Sequence, residues 1–472
     1  MLMLAVCLTP LLSSCASVTA QRVPPVSVDI PATWSEMGAS NQTNTEVNAT
    51  SLAEWWTRFN DPLLTRLVTQ ALAANSSVNS AQAALRQARA LRDVAAAGLL
   101  PAVGSSASAQ QGTAGGNSTG SNFKVGLDAS WEPDIFGGKL SGVTASDASV
   151  RASAASLADV QVSIAAEVAL NYITQCAAQA RLAIAESNLA SQLETHQLTQ
   201  WRLQAGLVSS LEVEQSLTAI AQIRAQLPLW QSHIAQSRHA LALLTGQPLA
   251  ALATAHLSTP HSATSGYLPQ AADDLVLSFP AETLRQRPDI RAAEHRITAA
   301  LARVAQADSA LKPSFRLGGS LGLSALTVAS LIDGAAVVSS LLAGVSLPIF
   351  DGGAARATVR AEEAALEQVQ VAYRATVLAA LQEVENALVA LRSERQRLLR
   401  LAQAAEAAGH AALMARQRYD SGLVDFQVVL ETQRNQLGTQ DSVASSRADL
   451  AADHVRLYKA LGGGWHPDHS NE

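Results

Sequence analysis

Charged and aromatic residues are scarce in this chain of 472 residues, and the shortage limits what the protein can be. Only 15% of the residues are charged and 4% are aromatic, against about 25% charged residues in an average soluble domain. Ala, Leu, Gln and Ser are abundant instead, which favours long helices packed through small side chains over a thick aromatic core. The net charge of −6 provides no basic surface, so nucleic acid is excluded as a partner.

Recognisable catalytic motifs are missing as well. The sequence contains no Gly-rich phosphate loop and no Ser/His/Asp arrangement. His466 and His469 of "HPDH" could share a metal, but they lie in a polar terminal stretch, so we interpret 464–472 as a polar tail. We therefore predict a protein that is not an enzyme and that needs no cofactor or metal.

Cysteine is rare, and its placement indicates export rather than a disulfide framework. The apolar N-terminus is too short to span a bilayer and is typical of an export signal. "LSSC" at 12–15 resembles a bacterial lipobox, in which Cys15 becomes the lipidated first residue, although no basic residue precedes Arg22. We predict a lipoprotein signal peptide at 1–14 and a lipid anchor with a flexible tether at 15–50. An ordinary cleaved signal is the alternative.

An internal duplication is the strongest pattern in the chain. "GLLPAV", "FGG" and "RLQAGLVSSLEV" in the first half correspond in order to "ALKPSF", "DGG" and "RYDSGLVDFQVV" in the second. The segments starting at 98 and 202 correspond to those starting at 310 and 418, so the offset changes only from 212 to 216. Two copies are too few for a solenoid. We predict a first repeat at 51–245, a connecting segment at 246–287 and a second repeat at 288–463.

We predict that a helix begins each repeat and ends before a strand. Asp61 is a suitable N-cap and Pro62 a suitable first helical residue, and Pro288 repeats the device in the second half. These helices should end near Pro101 and Pro313, because proline is tolerated at the first residue of a strand.

Several segments have the alternating pattern of β-strands. In "FKVGLDASW" (123–131) and "FRLGGSLGLS" (315–324) apolar residues occupy every second position. Strands of about ten residues with one apolar face fit a soluble sandwich and a membrane barrel equally well. "GAAVVSSLLAGVSLPIF" (334–350) is uncharged but short for a transmembrane helix, and we predict a strand in its second half. Its apolar face would be Ala343, Val345, Leu347 and Ile349.

A very long helix is predicted after each double glycine, from Leu140 to Ala205 and from Ala354 to Ser421. At about 1.5 Å per residue, each would extend roughly 100 Å. Apolar residues recur at spacings of four and three, the pattern of a coiled-coil seam, so Cys176 is interpreted as a packed residue rather than a nucleophile. The seam residues are Val162, Ala166, Ala169, Ile173, Cys176, Ala180 and Ala183 in the first helix, and Val377, Leu381, Val384, Leu388, Leu391, Leu398 and Ala402 in the second.

Each long helix is predicted to turn back at a tight tip. Gly206 and Gly422 suit the left-handed residue that ends a helix. Ser209 and Glu212 form a capping-box pattern at the start of the first return helix, and Asp425 holds the matching N-cap position in the second. Each repeat thus contains a pair of strands and a long helical hairpin.

In this order, the segments resemble the outer-membrane factor family, the TolC-like exit ducts of tripartite efflux pumps and type I secretion systems. The resemblance covers roughly 52–463 and rests on "WWTRFNDPLLTRLVTQALAAN", "WEPDIFGG", "LRQRPDIRAAE", "LPIFDGG" and "RYDSGLVDFQVVLETQ". It implies a mixed α and β fold, mainly α, in which a homotrimer contributes four strands per subunit to one outer-membrane barrel continuous with a periplasmic helical barrel. It also implies contact with outer-membrane lipid, and strand residues facing the lumen: Lys124, Asp128 and Arg316.

The resemblance further implies a gate at the periplasmic end. Family members place carboxylates on the return helix after the second tip, and Glu431 is the candidate here, with Asp425 and Asp420 as alternatives. Gln427 occupies a position one turn earlier where the family often has leucine. Without the resemblance, Glu431 would be interpreted as a solvated acid on a helix surface.

Three functions remain open from the sequence. The first is a passive exit duct for drugs or other small molecules, with a periplasmic adaptor and an inner-membrane efflux transporter as partners. The second is the outer-membrane channel of a type I protein secretion system. The third is a structural coiled-coil adaptor, which would need a lipoyl-like β-domain between its helices, and no such segment is visible.

Overall fold

The computed structural model describes residues 52–114, 118–248, 268–270 and 281–465. It contains four strands and seven α-helices in these ranges. In chain order they are α1 (Pro62–Ala74), α2 (Ser76–Ala97), β1 (Ala102–Ala114), β2 (Ser118–Trp131), α3 (Gly138–Gln204), α4 (Ser210–Leu244), α5 (Pro288–Ser309), β3 (Ser314–Ala325), β4 (Ala336–Ser346), α6 (Ala354–Asp420) and α7 (Phe426–Ala460).

Several predictions fall outside the described residues. They are the signal peptide, Cys15 and the tether at 1–50, His466 and His469 in the tail, and most of the connecting segment at 246–287.

The four strands form one antiparallel sheet in the order β1-β2-β3-β4. The register pairs Val125 with Leu323 and Leu127 with Leu321, so the apolar rows of neighbouring strands share one face. These apolar side chains are exposed in the single chain. An exposed apolar face of this kind would favour aggregation in water, whereas the outer face of a membrane barrel must be apolar to contact lipid.

The other face of the sheet is composed mainly of glycine, serine and a few charged residues. Lys124 pairs with Ser324, Asp128 with Ser320, and Arg316 lies on the same face by alternation along β3. Ser106 donates a hydrogen bond of 2.5 Å to Asp128 across the β1–β2 ladder. The residues predicted to face the lumen therefore share a face, and their position in the lumen stays a prediction. Two apolar exceptions, Val338 and Leu342, lie on this face in β4.

The predicted fourth strand is correct in type but wrong in extent. β4 ends at Ser346, so Leu347 and Ile349 lie beyond it rather than on its apolar face. Pro348 has no backbone N–H to give to a ladder, which agrees with an end at this point. Ala343 and Val345 do lie on the apolar face, opposite Leu317 and Phe315.

The prediction that Pro62 and Pro288 begin equivalent helices is wrong. The first half has two helices, because Asn75 interrupts the segment and caps α2 by accepting hydrogen bonds from the backbone of Ser77 and Val78. The equivalent of α5, which begins at Pro288, is α2, which begins at Ser76. Asp61 still caps α1 as predicted, and its carboxylate accepts hydrogen bonds from the first turn.

The two long helices are confirmed, each with 67 residues. α2, α3, α5 and α6 pack side by side in that order, α4 packs on α3, and α7 packs on both α6 and α3. The predicted seam is buried at Val377, Val384, Leu388 and Leu391 but fails at Ala402, which is exposed. α3 buries more than twice as many residues as α6, since α3 has helices on several sides and α6 lies at the edge of the chain.

Cys176 is a packed residue of the α3 seam, as predicted. Burial raises the pKa of its thiol to about 12, so the nucleophilic thiolate is not populated at neutral pH. The neighbouring Tyr172 hydroxyl donates a hydrogen bond of 2.7 Å to Asp61, which joins α3 to the cap of α1.

The double glycine before each long helix serves different needs in the two copies. Gly137 adopts a positive φ of 73°, but Gly138 is required for space, since an added Cβ would lie 2.0 Å from the Ser309 hydroxyl. In the second copy Gly352 and Gly353 both have positive φ and open space around them. The repeated motif therefore reflects close helix packing in one copy and backbone conformation in the other.

Candidate functional site: the hairpin tips

Both hairpins turn through the same backbone motif. Gly206 and Gly422 have φ values of 70° and 71°, as expected from the sequence. Leu207 N–H donates to Arg202 O at 2.9 Å, and Leu423 N–H donates to Arg418 O at 2.8 Å. These are the hydrogen bonds of a Schellman motif, and they satisfy carbonyls that the end of a helix leaves free.

The two return helices begin differently. The Glu212 carboxylate accepts a hydrogen bond of 2.6 Å from the backbone N–H of Ser209, as the capping-box pattern predicts. Asp425 does hold the N-cap position of α7, but its side chain makes no cap hydrogen bond. The second tip therefore lacks the local stabilisation that the first has.

An apolar cluster joins the two tips. Tyr419 of α6 packs against Phe426 of α7 with ring centroids 5.4 Å apart, and Val429 and Leu430 complete that side. Ala219 of α4 contributes from the first hairpin. The second hairpin thus packs on the first at the end of the molecule farthest from the sheet.

Arg202 reinforces this contact from the last turn of α3. Its guanidinium donates hydrogen bonds of 3.1 Å to the carbonyls of Tyr419 and Asp420, lies 4.2 Å from the Tyr419 ring centroid, and is 3.8 Å from the Asp420 carboxylate. A cation at the carbonyl end of a helix also interacts favourably with the helix dipole. One side chain of the first hairpin therefore holds the end of α6.

Further from the tip, polar contacts hold α7 against α3. Asn188 donates a hydrogen bond of 3.0 Å to Gln440, and Arg181 forms a two-bonded ion pair with Asp441. The Arg181 guanidinium also lies 3.9 Å from the Trp230 ring centroid on α4. These contacts hold the middle of α7 against α3 without involving the tip.

The predicted gate residues are divided between two settings. Gln427 and Glu431 are exposed and one turn apart, on the side of α7 away from its buried residues Phe426, Val429 and Leu430. Asp420 instead lies beside Arg202, and Asp425 is exposed at the helix start. Within one chain, the structure brings Asp420 to the first hairpin and leaves Glu431 free of that contact.

Arg202 makes the contacts between the tips that the sequence did not reveal. An arginine lies four residues before the tip glycine in both repeats, at Arg202 and at Arg418. This recurrence is a signal that could have selected both. It could not have shown that Arg202 reaches across to the other hairpin.

Comparisons with known proteins agree with this architecture. The family model described as "Outer membrane efflux protein" matches residues 67–247 and 279–463. The pyoverdine export outer membrane protein OpmQ of Pseudomonas putida is 34% identical, with 98% of each chain covered. The outer membrane protein OprJ of Pseudomonas aeruginosa is 31% identical, over 92% of this chain and 90% of its own.

Among solved structures, the outer-membrane channel OprN superposes with a TM-score of 0.82 at 34% identity, covering 94% of this chain and 100% of its own. These matches favour efflux over protein secretion and exclude the coiled-coil adaptor hypothesis. The four strands of one chain cannot close a barrel, and in a trimer the other two subunits supply the remaining strands. The chain belongs to the outer membrane efflux protein family, whose members are trimeric, non-enzymatic channels that serve as the outer-membrane exit ducts of efflux pumps.

Proposed function

We propose that this duct is gated at its periplasmic end by the α6–α7 hairpin, which Arg202 holds in the closed position. The observation that carries the proposal is the set of Arg202 contacts with the Tyr419 and Asp420 carbonyls. These are the polar contacts between the hairpins nearest the tip, and the Asp425 cap adds nothing locally. A hairpin held mainly by its neighbour can move when that contact is replaced.

Glu431 is the proposed gate acid, with Gln427 one turn nearer the tip. In a trimer, converging second hairpins bring three copies of Glu431 toward one axis. Like charges confined near an axis repel each other unless cations or protons lie between them. The exposure of Glu431 in the single chain supports this role, because its carboxylate is not engaged by the buried cluster of its own hairpin.

The proposed partners are a periplasmic adaptor and an inner-membrane efflux transporter. The adaptor would open the duct by binding the hairpins in a separated arrangement, so that its binding energy replaces the Arg202 contacts. The proposed cargo is drugs or other small organic molecules. Relatives support this size class, since one is described as a pyoverdine export protein and another, 30% identical, as part of a toluene efflux pump.

Single-channel recording in planar bilayers tests the proposed latch. Arg202→Ala removes both carbonyl hydrogen bonds and the contact with the Tyr419 ring, so we expect a clear increase in resting conductance. Arg418→Ala is the matched control at the equivalent position of the second repeat, and it should leave conductance unchanged. Equal conductance for wild type and Arg202→Ala, with trimers intact, would exclude the latch.

We also propose that Cys15 carries the lipid anchor. "LSSC" supports it, and Ala16 is not the aspartate that often retains lipoproteins at the inner membrane. Mass spectrometry of the mature protein should show a lipidated N-terminal Cys15, and Cys15→Ser should remove the lipid while reducing export only in part, because the barrel also holds the membrane. An unmodified Cys15, or cleavage at another position, would contradict the proposal.

A further inference from the structure

A cleft of about 700 Å³ lies where the strands meet the helices. It is formed by the β2–α3 connection, the last turns of α5, the first residues of β3 and the first turns of α6. β2 and β3 are the inner strands of the sheet, whereas β1 and β4 are its edges. The cleft is thus built mainly by the middle of the chain's own sheet.

The apolar row of β3 reaches the cleft through Phe315. Phe315 lines it and lies in the same row of β3 as Leu317, Leu321 and Leu323. Phe136 also lines it, with its ring centroid 6.4 Å from that of Phe315. Aromatic residues at the ends of barrel strands mark the membrane–water interface. Since these strand ends lead directly into the periplasmic helices, the cleft lies at the level of the inner leaflet.

Charges of both signs line the cleft in equal number. The cations are Lys139, Arg303 and Lys312, and the anions are Glu132, Asp134 and Glu362. Among the described residues, Arg303 makes no ion pair or hydrogen bond.

The two lysines of the cleft have partly exposed carboxylate partners, of which Asp308 lies outside the cleft, and Lys139 also donates a hydrogen bond of 3.2 Å to the Glu132 carbonyl. Lys139 is 3.3 Å from Glu132, Lys312 is 3.1 Å from Asp308, and each lysine is about one-third exposed. Surface pairs of this kind contribute roughly 0–1 kcal/mol, so the lysines can exchange them for a stronger acceptor such as phosphate.

We propose that this cleft binds the headgroup of a zwitterionic phospholipid from the inner leaflet of the outer membrane. The phosphate would contact Lys139, Lys312 and Arg303, and the ammonium group would lie toward Glu362, while the acyl chains follow Phe136 and the apolar strand face. The balanced charges favour a phosphoethanolamine over an anionic headgroup. A bound lipid would join the barrel to the helices at the point where Gly138 and Ser309 already bring α3 and α5 together.

Native mass spectrometry of the detergent-purified trimer, incubated with short-chain phosphatidylethanolamine, tests the proposal. The combined variant Lys139→Gln, Arg303→Gln, Lys312→Gln should retain on the order of tenfold less of this lipid than wild type. Arg89→Gln, Arg356→Gln, Arg360→Gln removes three exposed arginines outside the cleft and should retain it fully. Lys139→Arg with Lys312→Arg keeps the charges and should also bind, which shows that loss reflects charge rather than misfolding.

Two parallel incubations decide the nature of the ligand. Equal or tighter binding of phosphatidylglycerol would overturn the preference for a zwitterion. Inorganic phosphate should not compete at millimolar concentration, because the proposed occupant also uses the apolar face; full competition would overturn the lipid assignment. Equal lipid retention by the cleft variant and the control variant would show general surface lipid only and would exclude the site.

Discussion

The two repeats use different side-chain donors to bind a backbone carbonyl at the end of the return helix. In the first, the Asn75 amide donates a hydrogen bond of 2.9 Å to Leu244 O; in the second, the Arg287 guanidinium donates one of 2.6 Å to Ala460 O. Asn75 and Arg287 immediately precede the equivalent helices α2 and α5. Both repeats have this hydrogen bond to a carbonyl at the helix end, but the donor is a neutral amide in the first and a charged guanidinium in the second.

The charged version needs partners that the amide version does not. Arg287 is buried and also binds Asp289 at 2.7 Å and Glu383 at 2.9 Å, so it joins α5, α6 and α7. A buried charge without such partners would be strongly unfavourable. Through Arg287, the "RPDI" segment therefore anchors the edge helix α6, which has few buried residues of its own.

At the hairpin tips the contrast is reversed, because there the first repeat has the additional stabilising side chain. The first tip has its own cap in Glu212, whereas the second has no side-chain cap and depends on Arg202 of the first. The second repeat is therefore held by a buried charge of its own at one end and, at the other, by contacts with the first hairpin through Arg202, Ala219 and Glu194. This asymmetry is what a hairpin that pivots about a fixed end requires.

The largest expected effect follows from Arg287→Ala. It leaves Asp289, Glu383 and Ala460 O without their partner, which costs about 3 kcal/mol, the lower end of the roughly 3–5 kcal/mol for a broken buried pair, because Glu383 is half exposed. Asn75→Ala removes a cap and one hydrogen bond and should cost about 1–2 kcal/mol. The melting temperature of the trimer, followed by circular dichroism in detergent, should fall further for Arg287→Ala. The reverse order would contradict the conclusion that the charged anchor is the stronger of the two.

A smaller effect separates the two tips. Glu212→Ala should destabilise the start of α4 by about 0.5–2 kcal/mol, whereas Asp425→Ala should change the start of α7 by less than about 0.5 kcal/mol. Amide hydrogen exchange in the first turn of each return helix measures this locally. Faster exchange after Asp425→Ala than after Glu212→Ala would mean that Asp425 caps α7 in solution after all.

The sequence predicted the elements that depend on local signals. The double glycines, the tip glycines, the Ser209–Glu212 cap and the long seams all follow from backbone geometry or periodicity, and the structure confirms them except at Ala402 of the second seam. A strand was expected directly after Pro101, where β1 begins, but its extent was not predicted, because "AVGSSASAQQGTA" has small and polar residues on both faces. Only its register with β2 defines it.

Contacts between distant segments could not be predicted in the same way. Nothing in the sequence pairs Arg202 with Asp420, or Arg287 with Glu383, because such contacts depend on how the two hairpins pack. The interruption at Asn75 was missed because a proline at Pro62 is a stronger helix-start signal than an asparagine within a helical pattern. The role of Glu431 depends on the trimer axis and so stays a prediction.

We propose that the second hairpin, and not the first, sets the ion preference of the closed duct. Glu431→Ala and Glu214→Ala remove exposed acids from corresponding turns of the two return helices. Reversal potentials in planar bilayers under a salt gradient, with and without divalent cations, compare them directly. We predict that Glu431→Ala loses cation preference and cation block while Glu214→Ala behaves as wild type. Wild-type selectivity and block in Glu431→Ala trimers, or an equal loss in Glu214→Ala, would show that the second hairpin does not set the ion preference.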